Sequence, residues 1–182
     1  NMLGDGTAQL ASHGALSYSA SEMRGFGLHA YPEATLSLPA SLTLRQVAIT
    51  NEGAITGLSV LDLRGGHFVN RGAMPDLKSL SLRADGSVNS YAQFEATGSS
   101  GGRPAAVYSL GEVQVEADQV LEFASDPIAG IGPTLRAKNL TVAGHLSADN
   151  LGYRPRSDLG PGPGVPTIDQ SGAGHGGRGG GP

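Results

Sequence analysis

The first candidates for chemistry are acidic: Asp62, Asp76, Asp85, Glu95, Glu112, Glu116, Asp118 and Glu122. Cleavage of a polysaccharide by paired carboxylates needs one acid to protonate the leaving oxygen. It needs a second, at a set separation across a groove, to activate water or attack the sugar. Glu112, Glu116 and Glu122 lie near one pair of strand-like runs, and Glu112 and Glu116 share a parity, which puts them on one face of an extended strand. A sugar groove also needs aromatic platforms, and these are thinly supplied: the chain has no Trp, and aromatic residues make up 5% of it. A solvated acidic face accounts for these glutamates better than an active site. Glu112 and Glu116 are the catalytic pair only under the alternative of a polysaccharide-active enzyme.

The other reactive residues form no constellation. The histidines are His13, His29, His67, His145 and His175; none makes an H-x-x-x-H pair and no cysteine joins them, so no metal site is expected. Asp149, Asn150 and Asp158, or Asp118 and Asp126, offer hard oxygens to calcium, the one cofactor the composition leaves open. The same residues are ordinary turn formers, which is the reading preferred here. Gly172 to Gly177 satisfies G-x-G-x-x-G, but a dinucleotide site needs a strand before it and a helix after it, and here more glycine follows. No Gly-Lys-Ser/Thr run exists to make a P-loop. Arg178 stands in a single Arg-Gly-Gly setting in a chain of net charge −4, so no nucleic-acid partner is expected.

Hydrophobic residues make up 38% of the 182 and charged residues 15%, so Gly, Ala, Ser and Thr fill the remainder. That mixture suits tight turns and closely stacked backbone and suits long helices badly. No apolar run approaches the roughly 18 residues of a membrane span. The start at Asn1-Met2 lacks the order of a signal peptide, and both ends read as cut from something longer. Without cysteine there are no disulfides, and the redox compartment stays open.

The positioning elements are short strands. Leu16, Tyr18 and Ala20 alternate with serines; Leu42, Leu44, Val47 and Ile49 alternate before Asn51-Glu52-Gly53. The next cycle holds Leu61, Leu63, Phe68 and then Asn70-Arg71-Gly72; the one after holds Leu80, Leu82 and Asp85-Gly86. Ser21 to Gly25 reads as one helical turn. Residues 99–104 and Asp126 to Pro133 read as loops, the second with Ile128 and Ile131 turned inward. Four phrases resemble one another: His13-Gly-Ala-Leu16, Glu33-Ala-Thr-Leu36, Glu52-Gly-Ala-Ile55 and Arg71-Gly-Ala-Met74. Their apolar residues fall 20, 19 and 19 apart. Apolar pairs at Val47/Ile49, Leu80/Leu82, Val113/Val115 and Leu140/Val142 recur at 33, 33 and 27.

Hairpin dipeptides between the runs are few, which disfavours an antiparallel sandwich. One turn phrase returning at a period near 20 favours a stack in which each turn lies on the last. The expected fold is therefore all-β: a right-handed parallel β-helix, or β-solenoid, of roughly seven irregular coils with a glycine-rich C-terminal loop. Gly53, Gly72, Gly86 and Gly144 are its structural turns. The solenoid spans 1–159, and 160–182 is a Gly/Pro-rich loop or linker, pinned against the last coil by Leu159, Val165 and Ile168.

Ile49-Thr-Asn-Glu-Gly-Ala-Ile55 and Phe68-Val-Asn-Arg-Gly-Ala-Met74 resemble the Asn-x-Gly-x-Ile phrases of bacterial surface β-helix proteins of the haemagglutinin and autotransporter-passenger type. Leu140 to Asp149, with Gly160-Pro-Gly-Pro-Gly164 and Gly172-Ala-Gly-His-Gly-Gly177, is similar to a glycine-rich block in large secreted β-helix proteins. The resemblance implies a pectin-lyase-like architecture in a secreted or cell-surface protein, an adhesin or structural segment. Its partners would be extracellular polysaccharide or protein. It implies no chemistry.

Overall fold

The computed structural model describes residues 9–95, 107–124 and 132–148, with side chains from His13 onward. The expected loop at 99–104, the inward Ile128 and Ile131, and the Gly/Pro-rich 160–182 lie outside the described residues. The described residues form no helix. Their strands are β1 (Gln9–Ser12), β2 (Ala15–Ser17), β3 (Glu22–Arg24), β4 (Gly27–Ala30), β5 (Thr35–Ser37), β6 (Ser41–Asn51) and β7 (Ala54–Thr56), followed by β8 (Val60–Asn70), β9 (Ser79–Arg83), β10 (Ser90–Glu95), β11 (Val107–Val115), β12 (Val120–Ala124), β13 (Thr134–Val142) and β14 (His145–Ser147). Ser21 to Gly25, expected as a helical turn, contains β3 instead. Met23 points into the core and needs the extended backbone that sets it under Leu44.

Among the described residues every pairing of named strands is parallel, which excludes the antiparallel sandwich. Eleven strands form one large, nearly closed sheet, and β2, β5 and β7 form a second of three. Partners lie one circuit of the chain apart: Leu42 pairs with Leu61, Leu61 with Leu80, Leu80 with Val113 and Val113 with Leu140. The period is 19 residues from Asn51 to Asn70 and lengthens later in the chain.

The alternation predicts which residues point inward. Leu44, Leu63, Leu82 and Val115 form one inward row, all inaccessible to solvent. Leu28, Ile49, Phe68, Ala92 and Leu121 form another. Each buried leucine contributes about 2 kcal/mol through burial alone. Three of the four recurring apolar pairs stack as the spacing suggests: Leu80/Leu82, Val113/Val115 and Leu140/Val142. Val47/Ile49 does not join them. It faces Gly66/Phe68, beyond a corner, and Leu42/Leu44 and Leu61/Leu63 occupy the row.

The corners explain the glycines. A Cβ on Gly53 would overlap the carbonyl oxygens of Ala34 and Tyr31 in the rung beneath, and one on Gly72 would overlap that of Gly53. Gly144 has the same relation to Glu116 and Gln119. Gly86 differs: its surroundings are open, and it takes a φ of +63° in the turn between Asp85 and Val88. A second corner stacks three left-handed residues. Gly25 (φ 68°), Gln46 (φ 52°) and Gly65 (φ 63°) each follow an arginine in the same row. Only Gln46 bears the steric cost of that conformation, about 1 kcal/mol.

Inside the corner beside Gly53 and Gly72, Asn51 and Asn70 are fully buried. Asn51 Nδ2 donates to Asn70 Oδ1 at 2.7 Å; Asn70 Nδ2 donates to the Tyr108 hydroxyl at 2.9 Å and the Gly72 carbonyl at 3.0 Å. Burial pushes the Tyr108 hydroxyl up to about 12.

Two outcomes follow. Gly53→Val, whose side chain meets backbone that cannot rotate aside, should lower unfolding stability by about 3 kcal/mol in urea titration, while Gly14→Ala, with open space around it, should stay within about 0.5 kcal/mol. Gln46→Gly should raise the urea midpoint by about 0.5–1 kcal/mol equivalent, despite losing the 3.3 Å hydrogen bond from Gln46 to Asp85; a fall in stability would refute the strain.

Candidate functional site

Because strand side chains alternate, each inward row has outward rows beside it. The most regular one contains Arg24, Arg45, Arg64 and Arg83, in register on β3, β6, β8 and β9. Neighbouring parallel strands are about 4.8 Å apart, so adjacent arginines in the row lie within a Debye length of about 8–10 Å. Carboxylates interleave them. Glu22 lies 3.8 Å from Arg24 and 3.4 Å from Arg45, which also donates to Asp85 at 3.0 Å. Arg64 donates to Asp62 at 2.8 Å; Arg83 lies 3.5 Å from Asp62 and 3.7 Å from Glu116. The four acids balance the four arginines, so the row offers planar donors without a large field.

Around the next corner is a second polar face, carried by β4, β6, β8, β10 and β12. His13, Tyr31 and His29 stack there, with ring centroids 3.9 and 4.4 Å apart. His13 Nδ1 lies 2.5 Å from Glu33, and this hydrogen bond holds the Glu33 carboxyl below its usual range. His29 Nε2 lies 3.3 Å from Glu52. Arg71 bridges Glu52 at 3.3 Å and Glu95 at 2.8 Å, tying three rungs together. Further along, His67 and Tyr91 are 5.4 Å apart, and the Tyr91 hydroxyl donates to Glu122. Burial and then the Glu122 carboxylate push the Tyr91 hydroxyl upward.

The candidate catalytic pair does not converge. Glu116 joins the end of the arginine row beside Arg83. Glu112 is exposed on β11, opposite Ser79 and Asn139, about 13 Å away along extended chain. Glu122, with the tyrosine, belongs to the other face. Of the remaining acids, Asp76 accepts the Gly57 amide at 2.8 Å, a turn contact. Asp118 sits in a turn at φ 63°. Among the described residues no group of three or more His, Asp or Glu is placed to hold a metal ion. Asp126, Asp149, Asn150, Asp158, His175, Arg178 and the G-x-G-x-x-G run lie outside them.

Two sets of residues escaped the sequence reading. The arginine row was visible as Leu42-Thr-Leu-Arg45, Leu61-Asp-Leu-Arg64 and Leu80-Ser-Leu-Arg83, each phrase 19 residues after the last. Asn51 and Asn70, which the sequence pattern places in turns, point their amides inward. No family model, curated protein or solved structure matches this chain. Among the described residues no helix is long and apolar enough to cross a membrane.

Asp62→Asn leaves Arg64 and Arg83 without their shared counter-charge. It should cost about 1 kcal/mol in urea titration at low salt, and about half of that deficit should vanish near 1 M NaCl. A salt-independent deficit would mean packing, not charge, is what Asp62 supplies.

Proposed function

We propose that this chain is a non-catalytic structural or adhesive segment of a right-handed parallel β-helix, with about seven irregular coils, in a larger secreted or cell-surface protein. The observation that carries the reading is the unbroken in-register parallel pairing, with the same row positions recurring on successive circuits. A stack bonded rung to rung is stiff along its axis and displays side chains in rows, which suits a spacer with a long contact face. Arg24, Arg45, Arg64 and Arg83 on one side, and Tyr31, Arg71 and Tyr91 on the other, supply planar and hydrogen-bonding groups for an extracellular polysaccharide or protein.

Polysaccharide cleavage draws less support. Its candidate acids, Glu112 and Glu116, have no tyrosine between them, and Tyr31 is stacked against both His13 and His29, leaving little ring face for a sugar. Incubated with a panel of neutral and acidic polysaccharides, the chain should release neither new reducing ends nor unsaturated products. Sustained turnover that Glu116→Gln or Glu122→Gln abolishes would sink the non-catalytic reading.

A further inference from the structure

The buried amide chain in the asparagine corner has one end without a partner. Asn51 and Asn70 are both 0% exposed. Asn70 is satisfied: its Oδ1 accepts from Asn51, and its Nδ2 hydrogens go to Tyr108 and Gly72. Asn51 Nδ2 points up the stack to Asn70, while Asn51 Oδ1, buried with it, takes no hydrogen bond from the protein. A buried acceptor in that state bears the full penalty of leaving water, so nearly all such groups in folded proteins are bonded to something.

The rung beneath supplies no side-chain donor at that place. In register below Asn51 is Ala30, itself 0% exposed. The backbone amides around the corner are committed: Glu52 N–H donates to the Ala30 carbonyl, Ala34 N–H to that of Tyr31, Ala54 N–H to that of Ala34 and Arg71 N–H to that of Asn51 itself. Ala30 is also shorter than the asparagines stacked above it by a whole carboxamide, a group bulkier than one water. Acceptors are present in the same rung. The carbonyls of Ala30 and Tyr31 each take one of these amides, and a carbonyl oxygen has two lone pairs.

We propose that this corner is the binding site of one buried water, seated between Ala30 and Asn51. It donates one hydrogen to Asn51 Oδ1 and the other to the Ala30 or Tyr31 carbonyl, which gives it the two or more polar partners a buried water needs. The surrounding oxygens are amide oxygens, so the occupant must have hydrogens to give and need bring no charge. Its consequence is for register. The water carries the polar column from Asn70 and Asn51 one rung further, onto β4, where the side chain in line is an alanine that could specify nothing. The inference stands apart from the adhesive reading, and a failure of adhesion would leave it intact.

The direct test is a crystal structure of the full 182-residue chain at a resolution that places internal waters. The expected result is a density peak about 2.6–3.2 Å from Asn51 Oδ1 and at a similar distance from the Ala30 or Tyr31 carbonyl. A dry Oδ1, or one bonded to a protein donor, overturns the proposal. Two alanine-to-serine substitutions test it in solution. Ala30 and Ala92 are both 0% exposed, but Ala92 lies in an apolar row between Phe68 and Leu121. Ala92→Ser sets a hydroxyl among apolar side chains and should lower the folding equilibrium constant by about tenfold or more. Ala30→Ser replaces the water with another donor and should change that constant by less than about threefold. It should also remove one long-lived internal water, counted by magnetic relaxation dispersion of the water oxygen. A larger gain from Ala30→Ser would mean that Oδ1 had been dry, and a loss as large as that of Ala92→Ser would mean that the corner has no place for a donor. Either result, or an unchanged water count, overturns the proposal.

Discussion

The amide of Asn51 donates to Asn70 in the rung above, and this contact states the constraint under which the described residues are built. Each circuit must superpose on the last closely enough for one backbone to bond the next, so whatever a corner contains must suit its copy about 4.8 Å away. A buried primary amide meets that requirement in an unusual way, because it is donor and acceptor at once and can bond to its own image. Asn70 continues the chain of bonds to Gly72 and Tyr108. Its neighbours Gly53 and Gly72 obey the same rule from the outside: each presses so near the preceding rung's carbonyls that no side chain fits. An unpaired amide in this position would carry a desolvation penalty of about 1–3 kcal/mol, which makes the corner's register specific.

The same constraint decides what was legible in the sequence. Between Glu33 and Arg83 circuits repeat at nearly constant length, and the turn phrase, the inward leucines and the arginines all return together. Parallel stacking could be read there because a returning turn residue is what stacking requires. After Arg83 the circuits lengthen. The turn from Asp85 to Val88 enters, and the other corner, beside Gly65, holds buried Ser90 and Gln119, joined by Ser90 N–H to Gln119 Oε1. Sequence spacing alone cannot say how many residues a loop absorbs, so the later rungs were legible as strands but not as neighbours. Val47/Ile49 was misplaced for a related reason. Strand β6 bends at Gln46, a residue type that gives no warning of a left-handed conformation, and the two halves of one apolar run serve different rows.

The arginine row was missed because hydrophobic periodicity watches the inside. Outward residues in a stack are subject to a separate rule, since any charge that recurs at each circuit meets its own kind at strand spacing. The acids that relieve this need not share the period. Glu22 and Asp62 come from the adjacent outward row of the same strands, Asp85 from a turn, and Glu116 from the end of β11. Charge compensation is thus assembled across elements that sequence spacing does not relate, which is why the candidate acids looked scattered. Asp62, Asp85 and Glu116, candidates for chemistry by residue type, are engaged with guanidinium groups.

Under the adhesive function proposed above, recognition would fall to the outer rows. Inward and corner positions are held by contacts above and below, so a change there disturbs two neighbours and tests the fold. Outward positions are held mainly by charge balance, and a balanced row remains available for contacts that do not need net charge: planar donors along the arginines, ring edges and carboxylates along Tyr31, Glu52, Arg71 and Glu95. Stacking between His13 and His29 covers both faces of the Tyr31 ring. A sugar-stacking groove needs exposed ring faces, and a Tyr31 ring covered on both sides offers none, which is why the proposed function favours hydrogen bonding along the rows over cleavage in a cleft.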